Sequence, residues 1–509
     1  MNCVPAGKIR KANIRFYKAG FNLRISRLPV AMIFYRYFFR IAVIACGVFL
    51  SRTARAQQFS GFEGSVYGGV LNTASQPAAS ADMPFRWDVE LIGVSSMWNN
   101  NIVKFNPYNH PLSTDSSILG SELIHGDKKR YGALMSNVHV LNVLYAVDHR
   151  LTVGAGWNAR SYSNGDRMDF ALNDSTKGPY SFIRENAVNK MQQGRLVSNS
   201  WSEFYITASR VMQQTTYDTW KAGATLKVLK GAAGAFVDAD AVEVSPYPSG
   251  GDYYFSRAQG SYGYSGNLDS LNDTNPFKRN KRFALNGSKL SLGLDLGVSY
   301  TRRLPGVIPN YIDNTPGNYD WKIEAALTDI GRLKYKYGSA SRQIRGPLGT
   351  AADLSTFQNI VDTVTSLQGF NNAIAGMVEA DSLQGKFTVG LPAALHINFD
   401  KSLGRNFYLN ANLILDASFL NGYADYRVHV TNSLILTPRW EIAHFGGSLP
   451  IYFNTHGEVL VGAAIRVGPL VAGVHDFRWL THSSFRSGGG YVALVIRRLW
   501  PEKDDCPRF

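Results

Sequence analysis

Few residue groups in this sequence could perform chemistry, and none forms a complete catalytic pattern. Gly154-Ala155-Gly156 has the spacing of a phosphate-binding turn, but no helix pattern follows it, as a dinucleotide loop requires. Gly263-Tyr264-Ser265-Gly266-Asn267 lacks the last glycine of a nucleophile elbow. His475-Asp476 and the pair Glu441 and His444 could move protons or bind a metal ion, yet neither has a third ligand at a usual spacing. The sequence therefore predicts no catalytic, cofactor-binding or metal site, and no enzyme.

The positive charge of the chain is concentrated near its start. The 509 residues include 53 Lys and Arg against 38 Asp and Glu, a net charge of +15. Eleven of the bases and none of the acids lie in residues 1–56, so the remaining chain carries a net charge of +4. The charge after residue 56 gives no reason to expect a nucleic-acid partner, and no nucleic-acid-binding motif is present. A chain that starts after residue 56 keeps only Cys506 and forms no internal disulfide.

Residues 1–56 are predicted to be a signal region for export. Arg36 and Arg40 precede a ten-residue apolar core at residues 41–50, which is short for a membrane-spanning helix. Beyond residue 56, no window approaches the ~20 apolar residues of a spanning helix. Export without transmembrane helices is typical of proteins that cross a membrane with strands.

A small-x-small pattern, Ala54-Arg55-Ala56, predicts cleavage after Ala56, which makes Gln57 the mature N-terminus. Met32 is an alternative start, because residues 1–31 exceed the length of an ordinary signal. Two other outcomes remain open: lipidation at Cys46 and an uncleaved signal anchor.

Apolar and polar residues alternate with period two along most of the remaining chain, which is typical of strands with two different faces. In the clearest segment, the apolar positions are Leu290, Leu292, Leu294, Leu296, Val298 and Tyr300. The intervening positions are Ser291, Gly293, Asp295, Gly297 and Ser299. Residues 407–416 alternate in the same way. Several segments reach nine to twelve residues, close to the ~9–11 residues of a tilted membrane strand.

Tryptophans mark the ends of many of these segments, as in the aromatic girdles of membrane barrels. They are Trp87, Trp157, Trp201, Trp220, Trp321, Trp440, Trp479 and Trp500. The alternative is that they fill the core of a soluble sandwich. Because every backbone polar group needs a partner in hydrocarbon, a membrane sheet must close on itself. The sequence predicts an all-β fold, a transmembrane antiparallel β-barrel with a polar lumen.

Several short motifs, in order along residues 60–500, resemble an outer-membrane barrel family of the Bacteroidota type that is catalogued as a domain of unknown function. The motifs are the stretch from Leu71 to Asp82, then Phe85-Arg86-Trp87-Asp88-Val89-Glu90-Leu91, Leu294-Asp295-Leu296-Gly297-Val298-Ser299-Tyr300, Ala326-Leu327-Thr328-Asp329-Ile330-Gly331, Leu391-Pro392-Ala393-Ala394-Leu395, Thr437-Pro438-Arg439-Trp440 and Ile465-Arg466-Val467-Gly468-Pro469-Leu470. The resemblance implies an outer-membrane protein of a Gram-negative bacterium.

The layout is more distantly similar to the long-chain fatty-acid transporter barrels. That resemblance implies about 14 strands, within a range of 12–16, and an N-terminal plug that carries an Asn-Pro-Ala motif. Gln76-Pro77-Ala78 matches this motif with Gln in place of Asn, so these three residues are candidates for a plug or gate. The alternative is that Pro77 ends a turn before the first strand.

One stretch departs from the strand pattern. Within residues 344–384, apolar residues recur at helical spacing, and Asp353 or Ser355 could cap a helix that Gly369 ends. We therefore expect one helical insertion at 344–384. The predicted organisation is a signal region at 1–56, a barrel at 57–500 with a plug-like segment at 57–85, and a C-terminal tail at 501–509.

These observations predict a passive outer-membrane channel or transporter for a small or hydrophobic solute. The segment 60–82 or the helix at 353–367 would control access to the lumen. The alternatives are a barrel scaffold for secretion or surface assembly and a soluble exported β-rich binding protein. The expected partners are outer-membrane lipid and, during biogenesis, the barrel assembly machinery, with no cofactor and no nucleic acid.

Overall fold

The computed structural model describes residues 59–106, 120–176, 178–272, 287–303, 319–348, 352–478 and 484–499, together with residues 275, 278, 281 and 283. Residues 1–56 and 501–509, with Ala54, Ala56 and Gln57, lie outside the described residues. No described helix is long and apolar enough to span a membrane.

The described residues form a closed antiparallel barrel of 14 strands, as the sequence predicts. The strands are β1 (Phe85–Asn100), β2 (Gly126–Ala146), β3 (Leu151–Leu172), β4 (Gln192–Gln214), β5 (Asp218–Pro246), β6 (Leu290–Arg303), β7 (Tyr319–Lys336), β8 (Ala394–Gly404), β9 (Phe407–Asp416), β10 (Ser433–Glu441), β11 (Phe445–Ser448 and Ile451–Asn454), β12 (Val459–Val461 and Ala463–Val467), β13 (Leu470–Val474) and β14 (Ser487–Leu499). Each strand pairs with the next, and β14 pairs with β1, which closes the sheet.

The two ends of the barrel differ. Five tight turns at residues 147–150, 215–217, 405–406, 442–444 and 468–469 lie at the end where the barrel sheet also starts and finishes, which we call the short-turn end. Long connections lie at the opposite, long-loop end. The strands β2 to β5 contain 21, 22, 23 and 29 residues, whereas β8 and β9 contain 11 and 10. One side of the barrel therefore extends far beyond the other at the long-loop end.

The alternation in β6 has the predicted facing. Leu296 and Val298 are 44% and 50% exposed on the outer face, whereas Asp295 and Ser299 are buried in the lumen. Near the short-turn end, Trp220, Tyr300, Trp321 and Phe399 form a continuous row across β5 to β8, with successive ring centroids 4.8, 5.3 and 6.2 Å apart. An apolar outer face with an aromatic row at its edge is typical of membrane barrels. The polar face lines the lumen.

Several further elements lie at the long-loop end. The helices there are α1 (Pro179–Ala187), α2 (Leu354–Thr363) and α3 (Leu367–Ile374), with short 3₁₀ turns at Leu268–Asn272 and Ser418–Asn421. Two other 3₁₀ turns, Gly69–Asn72 and Pro77–Ser80, precede β1. Additional strands are Tyr253–Tyr264, Arg342–Arg345, Glu379–Ser382, Lys386–Gly390 and Tyr426–Arg427, with a separate hairpin at Val103–Asn106 and Gly120–Leu123. Tyr253–Tyr264 pairs with the upper half of β5, and Lys386–Gly390 pairs with the last residues of β7.

Two local expectations are wrong. The single predicted helix is two helices: Asp353 caps α2, as expected, but α2 ends at Thr363 and Ser366 caps α3. Gly369 lies inside the first turn of α3, because its N–H donates the capping hydrogen bond to the Ser366 hydroxyl oxygen at the start of this helix. The other error concerns Trp201, which is 1% exposed on the lumen side and is no part of the outer aromatic row.

Candidate functional site

An apolar cavity of about 540 Å³ lies at the long-loop end. It is bounded by the upper part of β5, the strand Tyr253–Tyr264, and the helices α2 and α3. Its apolar lining includes Ile183, Phe236, Val242, Phe255, Ala258, Ile344, Phe357, Leu367, Phe370, Ile374, Met377 and Val378. An apolar cavity of ~150 Å³ can hold one benzene ring. This cavity therefore has room for a molecule of several rings or a branched hydrocarbon chain.

The helices α2 and α3 are held over the sheet by capping and by aromatic packing. The Asp353 carboxylate accepts from Thr356 N–H at 2.7 Å, which fixes the start of α2. The ring of Phe357 on α2 packs edge-on against Phe255 of the sheet, with centroids 5.5 Å apart. Phe370 on α3 lies 6.4 Å from Phe357. These contacts place the apolar faces of both helices over the cavity.

The few polar groups around the cavity are paired or neutral. Asp238 is the one charged residue of the described lining, and its carboxylate binds Arg195 at 2.8 Å and Arg167 at 3.4 Å. Burial raises the pKa of Tyr262 to about 12, so this phenol stays neutral at physiological pH. Burial, and then the hydrogen bond to Asp269, raise the pKa of Tyr264. The described lining therefore offers no unpaired cation to a carboxylate ligand.

Beneath the cavity lies a buried apolar layer. In it, side chains from Lys386–Gly390 and from the end of β7 pack against side chains of β2 to β5. The layer comprises Met135, Tyr162, Val197, Trp201, Leu229, Phe236, Leu333, Tyr335, Phe387, Val389, Leu391 and Val428. Phe236 also lines the cavity, and it stacks on Tyr426 with centroids 3.7 Å apart. The Tyr335 hydroxyl donates to Asn199 Oδ1 at 2.7 Å.

Below the apolar layer, five adjacent strands each contribute one charged side chain to a buried ionic cluster. Asp329 on β7 receives two hydrogen bonds from Arg160 on β3, at 2.7 and 2.8 Å. Lys227 on β5 lies 2.7 Å from Asp329 and 2.7 Å from Asp295 on β6. Arg160 also contacts Glu203 on β4 at 3.4 Å. The lumen wall is polar here, as predicted, but its charges satisfy one another.

Asp329 enters this cluster because the backbone changes direction there. Its φ is +57°, a conformation that Asp tolerates better than most residues, and the pairing of β7 with β6 shifts between Leu327 and Ile330. The Asp329 N–H donates to Asp295 Oδ1 at 2.7 Å. The bend turns the carboxylate into the lumen.

Residues 59–83 form a plug inside the lumen. Arg439 on β10 donates to the carbonyl oxygens of Glu63 and Gly64, at 3.0 and 3.3 Å, and pairs with Asp400 at 3.1 Å. Four strands further along the barrel, Arg497 on β14 donates to the Tyr67 carbonyl oxygen at 2.6 Å. Guanidinium groups from two strands therefore hold backbone carbonyls of the plug.

The motif Gln76-Pro77-Ala78 occupies a notch in the wall. Gly223 on β5 and Gly297 on β6 are direct cross-strand partners, and both face the motif. A Cβ atom on Gly223 would lie 2.6 Å from backbone atoms of Pro77 and Ala78, and one on Gly297 would lie 2.0 Å from Gln76 Oε1. Gln76 Nε2 donates to the Val298 carbonyl oxygen at 3.3 Å. Because both wall residues are glycines, the wall leaves room for the plug at this point.

The lumen around the plug is closely packed. Two cavities beside the plug, one next to Glu63 and Gln76 and the other next to Ser60 and His475, each have about 10 Å³. That space holds about one water molecule. No wide passage accompanies the plug through these parts of the lumen.

The other candidates for chemistry have structural partners. Asp476 binds Arg478 at 2.7 Å, and the buried His475 packs against Tyr491. Glu441 faces the lumen and pairs with Arg439 at 3.1 Å, whereas His444 lies in an exposed turn, so the structure does not bring Glu441 and His444 together. In the part of the chain that the structure describes, no group of three or more His, Cys, Asp or Glu side chains is placed to hold a metal ion.

Sequence reasoning missed the cavity and the ionic cluster, although it placed Asp295 on the lumen face. A signal for the cluster was present, because Arg160, Glu203 and Lys227 each occupy a lumen-facing position of an alternating strand. The apolar spacing of α2 predicted a helix with one apolar face. Nothing in the sequence indicated that this face borders an open space.

A family model matches residues 77–474, which include Pro77 and Ala78 of the plug motif and most of the barrel. Its description is "Family of unknown function (DUF5723)". The chain belongs to the DUF5723 family. The predicted resemblance to an uncharacterised barrel family is thereby confirmed, while an origin in Bacteroidota stays a prediction. No curated protein matches this DUF5723 chain.

Solved barrels with similar folds share little sequence with this DUF5723 protein. The toluene transporter TbuX of Ralstonia pickettii is 11% identical, with 88% of this chain and 98% of that chain covered and a TM-score of 0.37. The toluene transporter TodX of Pseudomonas putida is 9% identical, with 87% and 95% covered and a TM-score of 0.37. A FadL homologue of Pseudomonas aeruginosa is 9% identical, with 87% and 98% covered and a TM-score of 0.39. What each of them transports is a property of that protein.

Proposed function

We propose that this protein is a non-enzymatic outer-membrane channel or transporter that accepts an uncharged hydrophobic solute. The observation that carries the proposal is the apolar cavity of about 540 Å³ at the long-loop end. Ligand sites of this size are lined by apolar and aromatic side chains, with few polar groups to set orientation. The pairing of Asp238 with two arginines favours a neutral solute over a carboxylate.

The proposed orientation follows from the two ends of the barrel. In outer-membrane barrels the short turns face the periplasm and the long connections face the outside. The cavity then opens on the extracellular side, where a solute would first meet the protein. Outer-membrane lipid and the barrel assembly machinery are the partners that this placement implies. The apolar outer face argues against the alternative of a soluble binding protein.

Passage through the barrel would require three barriers to move in turn. They are the apolar layer below Phe236, the ionic cluster around Asp329, and the plug with Gln76-Pro77-Ala78 as its seat in the wall. No energy source is needed, because a hydrophobic solute would move down its own gradient. We propose that the resting protein is closed and that residues 59–83 act as the gate on the periplasmic side.

The test is solute binding to the purified protein in lipid nanodiscs. Ala258→Trp should fill part of the cavity and weaken the binding of an uncharged polycyclic hydrocarbon at least tenfold. Gln368→Trp places the same side chain on the exposed face of α3 and serves as the control. A carboxylic acid of matched size should bind more weakly than the hydrocarbon to the unmodified protein.

Two results would contradict the proposal. One is equal affinity of the Ala258→Trp and Gln368→Trp proteins for the hydrocarbon. The other is tighter binding of the carboxylic acid. If the unmodified protein and both variants are folded but none binds the hydrocarbon, the result would favour the scaffold role in secretion or surface assembly.

A further inference from the structure

A row of exposed basic side chains follows the outer face of β7 near its end. Arg332, Lys334 and Lys336 are exposed, while Leu333 and Tyr335 between them are fully buried in the apolar layer. The period of two sends all three cations away from the core. This is the same strand that bends inward at Asp329.

Neighbouring segments extend the row into what we call the basic patch. Its members are Lys289, Arg332, Lys334, Lys336, Lys386 and Arg427. Lys336 and Lys386 are direct cross-strand partners, and the bridge between Ser288 and Tyr335 brings Lys289 beside Lys334. Like charges in directly opposite positions of a sheet are destabilising. An anion between them would offset that repulsion.

The basic patch has little internal compensation. Within the described residues, no carboxylate oxygen lies within 4 Å of a charged nitrogen of its six members. One acid borders it, Asp425, whose carboxylate accepts from the N–H and the hydroxyl of Thr388 at 2.7 and 2.9 Å. The surface therefore carries a strong excess of positive charge.

The patch lies at the level expected for lipid headgroups. From Tyr319 to Gly331, β7 rises roughly 30 Å at ~3.4 Å per residue and a tilt of ~40°. The apolar band of an outer-membrane barrel is ~25 Å tall. The first residue of the row, Arg332, therefore comes just beyond the band.

Large exposed apolar side chains border the patch. Leu290 and Leu292 on β6 are 70% and 65% exposed, and Phe419 and Tyr423 in the loop after β9 are 67% and 89% exposed. Arg332 donates to the Tyr423 carbonyl oxygen at 2.8 Å, which joins this loop to the patch. Acyl chains could lie on these side chains while a headgroup meets the cations.

We propose that the basic patch binds the phosphate-bearing headgroup of an anionic lipid in the outer leaflet, with the acyl chains on the bordering apolar side chains. The inference rests on the proposed placement in the outer membrane. Ammonium and guanidinium groups both bind phosphate, and guanidinium does so with two parallel hydrogen bonds. Each Lys or Arg near an anionic lipid surface contributes about fivefold in affinity.

The experiment measures retention of bisphosphorylated lipid A by the full barrel, by native mass spectrometry and by titration in detergent micelles. A triple variant, Lys334→Gln with Lys336→Gln and Lys386→Gln, should bind lipid A roughly 100-fold more weakly. The matched control replaces three exposed lysines elsewhere at the long-loop end, Lys128, Lys129 and Lys190, with Gln. The control should bind lipid A as the unmodified protein does. All three proteins should bind phosphatidylcholine with equal affinity.

Unchanged lipid A binding by the triple variant would overturn the proposal, as would an equal loss in the control. Displacement of lipid A by inorganic phosphate at physiological ionic strength would also overturn it, because the site would then recognise a free ion. Heat-modifiable gel migration checks that each variant is folded. Hydrocarbon binding in the cavity uses different residues, so loss of one activity with the other retained identifies which proposal fails.

Discussion

Replacing Gly223 with alanine is expected to unseat the plug from the barrel wall. The added Cβ would lie 2.6 Å from the N atom of Ala78 and from the carbonyl carbon of Pro77. Carbon atoms pack best at ~3.5–4.0 Å, so the plug backbone must shift by about 1 Å. These are backbone atoms, which cannot rotate away as a side chain would. Overpacking of this kind costs about 1–3 kcal/mol.

If this cost destabilises only the seated state of the plug, the population ratio of seated to unseated plug falls by about 5- to 150-fold. Protease should then cut residues 59–83 faster than in the unmodified protein, whereas planar-bilayer conductance should stay low because the apolar layer and the ionic cluster above the plug are unchanged. Gly447→Ala is the matched control, since Gly447 also lies in a barrel strand and its Cβ would meet no atom within 4 Å. Equal cleavage of residues 59–83 in the Gly223→Ala and Gly447→Ala proteins would refute this account of how the plug is seated.

Two further pairs of substitutions test the barrel itself. Leu296→Arg puts a charge near the middle of the lipid face and should lower the free energy of unfolding into urea by ~2–4 kcal/mol, whereas Leu290→Arg at the rim should cost ~0–1 kcal/mol. Equal costs would contradict the assigned depth. Asp329→Asn keeps a residue that tolerates φ of +57° but leaves two buried cations short of a partner, so it should cost about 3–5 kcal/mol. Asp381→Asn, in an exposed ion pair, should cost less than about 1 kcal/mol in the same urea titration, and a similar loss in both would count against the ionic cluster.

The facing of the barrel strands was predictable because lipid and lumen differ so strongly. In β6 from Leu290 to Tyr300, each lipid-facing position is a large apolar residue, and each lumen-facing position is small or polar. The alternation argument was not applied to Trp201, which was therefore wrongly assigned to the outer aromatic row. Trp201 shares its phase with Glu203 and Tyr205 in β4, so strict alternation places it in the lumen, where its indole N–H donates to Glu203 at 2.9 Å.

Strand length beyond the membrane was not predictable from alternation. The strand β5 continues to Pro246, well above the lipid band, and its outer face there no longer needs large apolar residues. The part of β5 against which the Tyr335 ring packs is rich in small residues, because larger side chains would collide with that ring. A Cβ on Gly231 or Gly234 would lie 2.4 to 2.7 Å from that ring. The reason for these glycines lies about 100 residues away in sequence, so no local pattern could reveal it.

The helical insertion shows a different cause of error. Apolar residues keep helical spacing from Leu354 to Leu367, so periodicity predicts one helix. The chain nevertheless leaves helical geometry at Val364, where ψ is 125°, and begins again after Ser366. The break lets Phe357 and Phe370 approach the same cavity from two helices. Tertiary packing thus decides the break, and the cavity follows from it.

The strand β7 connects the two upper barriers in the proposed pathway. It supplies Tyr335 to the apolar layer and Asp329 to the ionic cluster, and the bend at Asp329 determines where both side chains point. A shift of the upper part of β7 would disturb the hydrogen bond from Tyr335 to Asn199 and strain the ion pairs of Asp329 together, because the same backbone carries both side chains. Movement of the plug alone would leave both upper barriers closed. Low conductance is therefore the expected resting behaviour of a transporter with this architecture, and binding in the cavity combined with release of the plug is the stronger test of transport.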